Sequence, residues 1–138
     1  GIFQHDSARN DTVRLVETLK SGHLPALAAD FPEKNPPMAA LYGAITRFND
    51  IDNSVISSKI GEAKLGVDIG SLTNYTIPTL FITGDQDVLF EASYIEALAV
   101  ALPGASCINL GKVGHSSYFE LPGAFNQVLD EFLTSLDK

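Results

Sequence analysis

The sequence predicts an α/β fold in which parallel strands are joined by a crossover helix, and three segments lead to this prediction. Residues 79–83 form a short apolar run between a proline and a glycine, which is typical of a strand buried on both faces. Residues 91–102 carry apolar side chains at helical spacing and end at a Pro-Gly pair. Residues 106–110 then form a second strand-like run.

Helices are expected on both sides of this unit. The chain before the first strand predicts, in order, a helix that begins after Asn10 or Asp11 and ends at Gly22, a helix at 24–31, a proline-rich loop at 32–37, a helix at 38–48, a weaker helix at 51–65 and a linker at 66–75. A last helix is expected at residues 122–136. Its apolar stripe is expected to face the core: Phe125, Val128, Leu129, Phe132, Leu133 and Leu136.

Composition argues against several classes of partner and location. The net charge is −8, so a polyanion such as nucleic acid would be repelled and is not expected to bind. The one cysteine, Cys107, cannot form an internal disulfide and is expected to be a small buried apolar group, which suits a reducing compartment. No apolar run approaches the length of a membrane span, and no signal core begins the chain. A soluble, cytoplasmic protein is expected.

Side chains that can carry chemistry follow both predicted strands. Asp85 and Asp87 come directly after the first strand, and His115 comes after the second. Because parallel strands joined by a crossover place their carboxyl ends at the same edge of a sheet, Asp87 and His115 are expected to meet in space. Only one of the two aspartates can orient the histidine, and Asp85 is expected to bond the turn instead.

Three motifs in this order carry a resemblance to a known family: Ile77-Pro-Thr-Leu-Phe-Ile-Thr-Gly-Asp-Gln-Asp87, Leu102-Pro-Gly-Ala105 and Gly114-His115. With Glu120 and Pro122 behind them, they resemble the C-terminal part of the α/β-hydrolase superfamily, over residues 76–138. The resemblance implies that Asp87 is the acid of a catalytic triad and His115 its base. Glu120 is expected to brace the loop or the last helix.

The resemblance also implies a division of the chain. Residues 1–9 would be a short leading segment, residues 10–70 a helical cap over the catalytic pocket, and residues 71–138 the C-terminal core. Six apolar or aromatic side chains would then line the substrate cavity: Leu41, Tyr42, Ile45, Phe48, Val88 and Leu89. The alternative for those in the cap is that they pack the cap onto the core.

The nucleophile of such a triad is missing from its usual place. The family carries it on a Gly-x-Ser-x-Gly turn before the acid, and no such turn precedes Asp87. The only similar stretch, residues 114–118, has Tyr118 where tight packing needs a small residue, so Ser116 is expected to be a loop serine. The chain is therefore expected to need the N-terminal half of the same hydrolase, present as a separate chain, removed by cleavage or not expressed. Self-association is the other possibility.

The resemblance implies hydrolysis of an ester, an amide or a carbon–carbon bond beside a carbonyl in a small-molecule substrate, without a cofactor or a metal. An aspartate nucleophile would shift the implied substrates to epoxides or haloalkanes. A different class of function also stays open, in which the same fold has no nucleophile and serves as a ligand-binding or interaction module.

Overall fold

The computed structural model describes residues 26–48 and 69–137. In chain order, the elements of these residues are α1 (Phe31–Lys34), α2 (Pro36–Arg47), a 3-10 helix (Ile69–Leu72), β1 (Thr79–Thr83), α3 (Ala92–Ala101), β2 (Ala105–Asn109), α4 (Ser117–Glu120) and α5 (Pro122–Leu136). The leading segment and the helices predicted at 10–22 and 51–65 lie outside the described residues. Among the described residues, no helix is both long enough and apolar enough to cross a lipid bilayer.

The strands β1 and β2 form a two-stranded parallel sheet, with Thr79 opposite Ala105 and Thr83 opposite Asn109. Helix α3 connects them and packs on both, and its Ala99 is buried. The predicted α/β class is confirmed. The bounds of β1 agree with the prediction, while β2 begins and ends one residue earlier than predicted.

The segment before the sheet differs from the prediction. Residues 26–30 form turns rather than the end of a helix, and the segment predicted as a proline-rich loop is largely helical. Pro32 lies in the first turn of α1, and α2 begins with two prolines. A proline is tolerated there because the backbone N–H that it lacks has no partner within the helix at that position. Pro32 and Pro36, which suggested a loop, therefore begin helices. The helix predicted at 38–48, with Pro37 in its first turn, is present as α2.

A small apolar core lies between this segment and α4. Its buried members are Leu27, Ala28, Phe31 and Ala39, with Met38, Tyr42 and Phe119 packed against them. Two further features were not predicted. The described part of the linker contains the 3-10 helix, followed by a turn in which Tyr75 N–H donates to the carbonyl of Leu72 at 2.9 Å. Helix α4 is a separate turn before α5.

Helix α5 has the predicted bounds, but its apolar stripe is not buried. No side chain of this helix is buried, and Leu129, Leu133 and Leu136 are exposed. The expectation that the stripe faces a core is wrong for the chain as described. An apolar stripe is buried only where another element packs on it. In the described part of the chain the sheet that could do so has two strands.

Candidate active site

Two loops at the carboxyl edge of the sheet form the site, and their backbones hold each other. The loop after β1 donates from Asp85 N–H to the carbonyl of Gly111 at 2.7 Å and from Gln86 N–H to the carbonyl of Val113 at 3.0 Å. Gly84 makes this approach possible, because a Cβ at that position would overlap the backbone and side chain of Val113. The position of the first loop therefore depends on that of the second.

Asp87 lies on the first of these loops and has both carboxylate oxygens in use. Its side chain is 6% exposed. One oxygen, Oδ1, accepts hydrogen bonds from Leu89 N–H at 2.8 Å and Phe90 N–H at 2.9 Å. The other, Oδ2, lies 3.0 Å from Nδ1 of His115. Burial raises the pKa of Asp87, but the hydrogen bonds from His115, Phe90 and Leu89 outweigh it, so the pKa lies below its usual value.

His115 lies on the second loop and is oriented by Asp87. Because the carboxylate is ionised and can only accept, Nδ1 of His115 carries the proton and donates it. The hydrogen bond to Asp87 raises the pKa of His115, and partial burial opposes this. The imidazole side chain is 41% exposed, and its ring lies 5.5 Å from that of Phe90. Within residues 26–48 and 69–137, Nε2 has no hydrogen-bond partner and is the nitrogen left for proton transfer.

The side chain of Asp85 has a different hydrogen-bond partner from the one expected. Its Oδ1 accepts a hydrogen bond at 2.8 Å from the side-chain amide of Asn109, the last residue of β2. It therefore ties the ends of the two strands together rather than bonding its own turn. The structure pairs His115 with Asp87 and not with Asp85.

The loop that carries His115 is fastened to the segment before the sheet. Glu120 accepts two hydrogen bonds at its Oε1, from Gly114 N–H at 2.9 Å and from Ala28 N–H at 3.0 Å. Ser116 donates its N–H to the carbonyl of Ala26 at 2.7 Å. Glu120 therefore braces the loop, as expected. Sequence reasoning missed the contact with Ala28, since nothing local signals a partner 92 positions away.

Ser116 is buried, with 2% of its surface exposed, and its hydroxyl is hydrogen-bonded to the hydroxyl of Tyr42 at 2.8 Å. This is the arrangement of a loop serine. A nucleophile beside His115 would have to present its oxygen to the imidazole and to the substrate. Sequence reasoning did not find the bond to Tyr42, which joins residues 74 positions apart.

The candidate substrate-binding residues lie in two places. Val88 borders an open depression of about 580 Å³, together with Asp85, Gln86, Asp87, Glu91, Ala92 and Ser93. Leu89 is half-buried beside it in the chain and donates its N–H to Asp87. The other four belong to α2 and its C-terminal cap. Tyr42 packs on Phe119 at 5.0 Å, whereas the remaining three are exposed: Leu41, Ile45 and Phe48.

The fold matches solved structures, although no protein-family model and no curated protein matches the sequence. Est816, described as an N-acyl homoserine lactone degrading enzyme, aligns with a TM-score of 0.63 and 23% identity, over 78% of this chain and 43% of its own. A thermophilic esterase from Thermogutta terrifontis, with malate bound, aligns with a TM-score of 0.48 and 24% identity, over 51% of this chain and 26% of its own.

The chain therefore has the fold of the α/β-hydrolase superfamily, as the sequence motifs predicted. It has a small parallel sheet with several helices, and it spans less than half the length of Est816. Its structural neighbours are an esterase and a lactone-degrading enzyme.

Proposed function

We propose that this chain supplies the acid and the base of a nucleophile–His–Asp triad in a hydrolase that cleaves an ester, an amide or a carbon–carbon bond. One observation carries the proposal: the Nδ1 atom of His115 lies 3.0 Å from the buried carboxylate of Asp87. The second carboxylate oxygen is held by two backbone N–H groups, so the aspartate cannot turn away without losing them.

The reaction needs a proton to move twice, and His115 can move it both times. Its Nε2 accepts the proton of the attacking nucleophile and later donates it to the leaving group. Asp87 keeps the ring in the tautomer that leaves Nε2 unprotonated, and it stabilises the imidazolium ion that forms between the two steps. The raised pKa of His115 agrees with this stabilisation.

The nucleophile and the donors for the oxyanion would come from an upstream segment of the same hydrolase or from a separate chain. Among the described residues, the serine next to His115 is buried and bonded to Tyr42. The exposed leucines of the α5 stripe offer a surface for such a segment: Leu129, Leu133 and Leu136. The chain alone would then have negligible hydrolytic activity. The alternative to such a segment is self-association, in which a second copy of the chain covers this surface.

The comparison with Est816 supports an ester or an amide among the three bonds. Est816 is described as degrading N-acyl homoserine lactones, which contain both a cyclic ester and an amide. In our proposal, residues 10–70 form a cap and residues 71–138 the core. Leu41, Ile45 and Phe48 then form an apolar surface on the cap that can face an acyl chain, with Tyr42 beside them.

Two measurements test the proposal. The intact mass of the native preparation shows whether a second polypeptide accompanies the chain. In the complete assembly, His115→Ala should lower turnover of a generic ester by about 10²- to 10⁴-fold, because general acid–base catalysis contributes that much. Near-normal rates would reject the triad. A wild-type assembly that binds esters or lactones without turnover would support the binding module instead.

A further inference from the structure

Both chain neighbours of His115 are held by hydrogen bonds, and the partners of Ser116 lie far away in the sequence. On one side, Gly114 donates its N–H to Glu120. On the other side, Ser116 donates its N–H to the carbonyl of Ala26, and its hydroxyl bonds Tyr42. The chain on either side of the imidazole is therefore held in place by Ala26, Tyr42 and the carboxylate of Glu120.

Glu120 connects the two segments through one atom. Its Oε1 accepts from Gly114 N–H on the histidine loop and from Ala28 N–H on the turn before α1. The residue is 9% exposed. Burial raises its pKa, the two N–H bonds oppose this, and the more distant charges of Asp30 and Lys34 act in opposite directions. A buried acceptor of this kind is stable only while both donors stay in place.

The two backbones are also in close contact at Gly114. A Cβ at this position would lie 2.5 Å from the nitrogen of Ala28 and 2.6 Å from the carbonyl carbon of Leu27. No side chain fits between them, so the histidine loop lies directly on the turn. Loss of the bridging carboxylate would leave the N–H groups of Gly114 and Ala28 buried and unpaired.

Aromatic contacts support the same junction next to Glu120. Phe119 packs edge-on against Tyr42 at 5.0 Å and against Phe31 at 6.3 Å. These rings fix α4, the short helix that ends in Glu120. Glu120 therefore extends from a helix that is held by packing, and this limits how far its carboxylate can move from the two N–H groups.

We propose that Glu120 is a positioning residue of the site: it holds His115 against Asp87 by bridging the histidine loop to the turn at residues 26–28, and Tyr42 is a second support through Ser116. This inference rests on the proposed function, because His115 needs a fixed position only if it transfers a proton. A displacement of a catalytic group by about 1 Å can lower the reaction rate by about 10²-fold.

The test is a pH titration of the His115 ring by NMR in the full chain, which does not depend on turnover. The sequence has three histidines, and His115→Gln assigns the signal. In wild type, the pKa of His115 should lie above that of an ordinary histidine. Glu120→Ala should lose most of this elevation, because the loop is released. Glu120→Gln should keep most of it, because its amide oxygen can still accept both N–H bonds.

Tyr42→Phe gives an independent reading if Glu120→Ala does not fold, as judged by circular dichroism. It removes the hydroxyl bonded to Ser116 but keeps the ring on Phe119, and it should lower the pKa of His115 by a smaller amount. An unchanged pKa in folded Glu120→Ala, or in Tyr42→Phe when the alanine variant is unfolded, would overturn the positioning role.

Asp87→Asn separates this inference from the proposed function. It should remove the elevation whatever Glu120 does. If Asp87→Asn also leaves the pKa of His115 unchanged, the Asp–His pair is not formed in solution and both proposals fail. If only the Glu120 and Tyr42 variants have no effect, the pair stands and the positioning role alone is rejected. In an active assembly, Glu120→Ala should lower kcat and leave KM nearly unchanged.

Discussion

Asp87 and His115 are hydrogen-bonded at 3.0 Å although 28 positions separate them in the chain. The parallel pairing of β1 with β2 explains this, because it ends both strands at one edge with Thr83 opposite Asn109. The loops that follow are joined by backbone hydrogen bonds from Asp85 and Gln86. The pair is therefore a product of the sheet register, and changes to either loop should alter it.

Asp87→Asn should lower kcat in the complete assembly by about 10⁴-fold, because the amide can donate to Nδ1 and favour the wrong tautomer of His115. Ester hydrolysis under saturating substrate measures this. Asp85→Asn is the matched control, since it lies two residues away and bonds Asn109 instead of His115. Equal losses in the two variants would contradict the assignment of the acid.

The pH dependence of kcat/KM should report the raised pKa of His115. The base must be neutral to accept a proton, so activity rises as pH increases through this pKa. Because Asp87 raises the pKa, the rise should occur at a higher pH than for an ordinary histidine. In Asp87→Asn the midpoint should move to lower pH while the plateau falls. A midpoint that stays in place would show that another group controls the profile.

Gly84→Ala should destabilise the chain by about 1–3 kcal/mol, because its Cβ would overlap the backbone of Val113, which cannot move without breaking the contact between the loops. Urea unfolding followed by circular dichroism measures the change. The control is Gly43→Ala in the middle of α2, where a Cβ meets nothing within 4 Å. That variant should instead be about 0.5–1 kcal/mol more stable. A neutral Gly84→Ala would mean that the two loops do not touch in solution.

Cys107 should react slowly with iodoacetamide near neutral pH. Cys107 is half-buried rather than buried as expected. This partial burial raises the pKa of its thiol, and the charge of Glu96 adds to this. As the only cysteine, it gives a label count by mass spectrometry that reports this site alone. Glu96→Gln should react faster than wild type but more slowly than the unfolded chain, because burial is the larger cause. A Glu96→Gln rate equal to wild type would exclude a charge effect.

The sequence predicted the elements whose signal is local. Strand β1 and helix α5 have the predicted bounds, because apolar periodicity and flanking prolines or glycines define them without reference to the rest of the chain. The approach of Asp87 to His115 was also predictable, since it follows from parallel strands alone. The same reasoning failed at Pro32 and Pro36, where a proline can end one element or begin another and only tertiary packing decides which.

The contacts that hold the histidine loop were beyond sequence reasoning. Glu120 meets Ala28, and Tyr42 meets Ser116, across separations of 92 and 74 positions. No motif or period links such pairs. Tyr42 illustrates this, because the family resemblance implied a place in a cavity wall or in the packing of the cap, and the bond to Ser116 became visible only in three dimensions. The exposed stripe of α5 was likewise unpredictable, because a periodic pattern shows that a face is apolar and not what covers it.

The bridge from Glu120 to Ala28 limits how this protein could be recombined with relatives. A chimaera that exchanged residues 79–120 alone would contain Asp87 and His115, but the histidine loop would pack on a turn from the other protein in place of residues 26–28. Crossover points placed before residue 26 would transfer both sides of the junction as one block, so designed hybrids should retain the geometry of Asp87 and His115 only with the longer exchange.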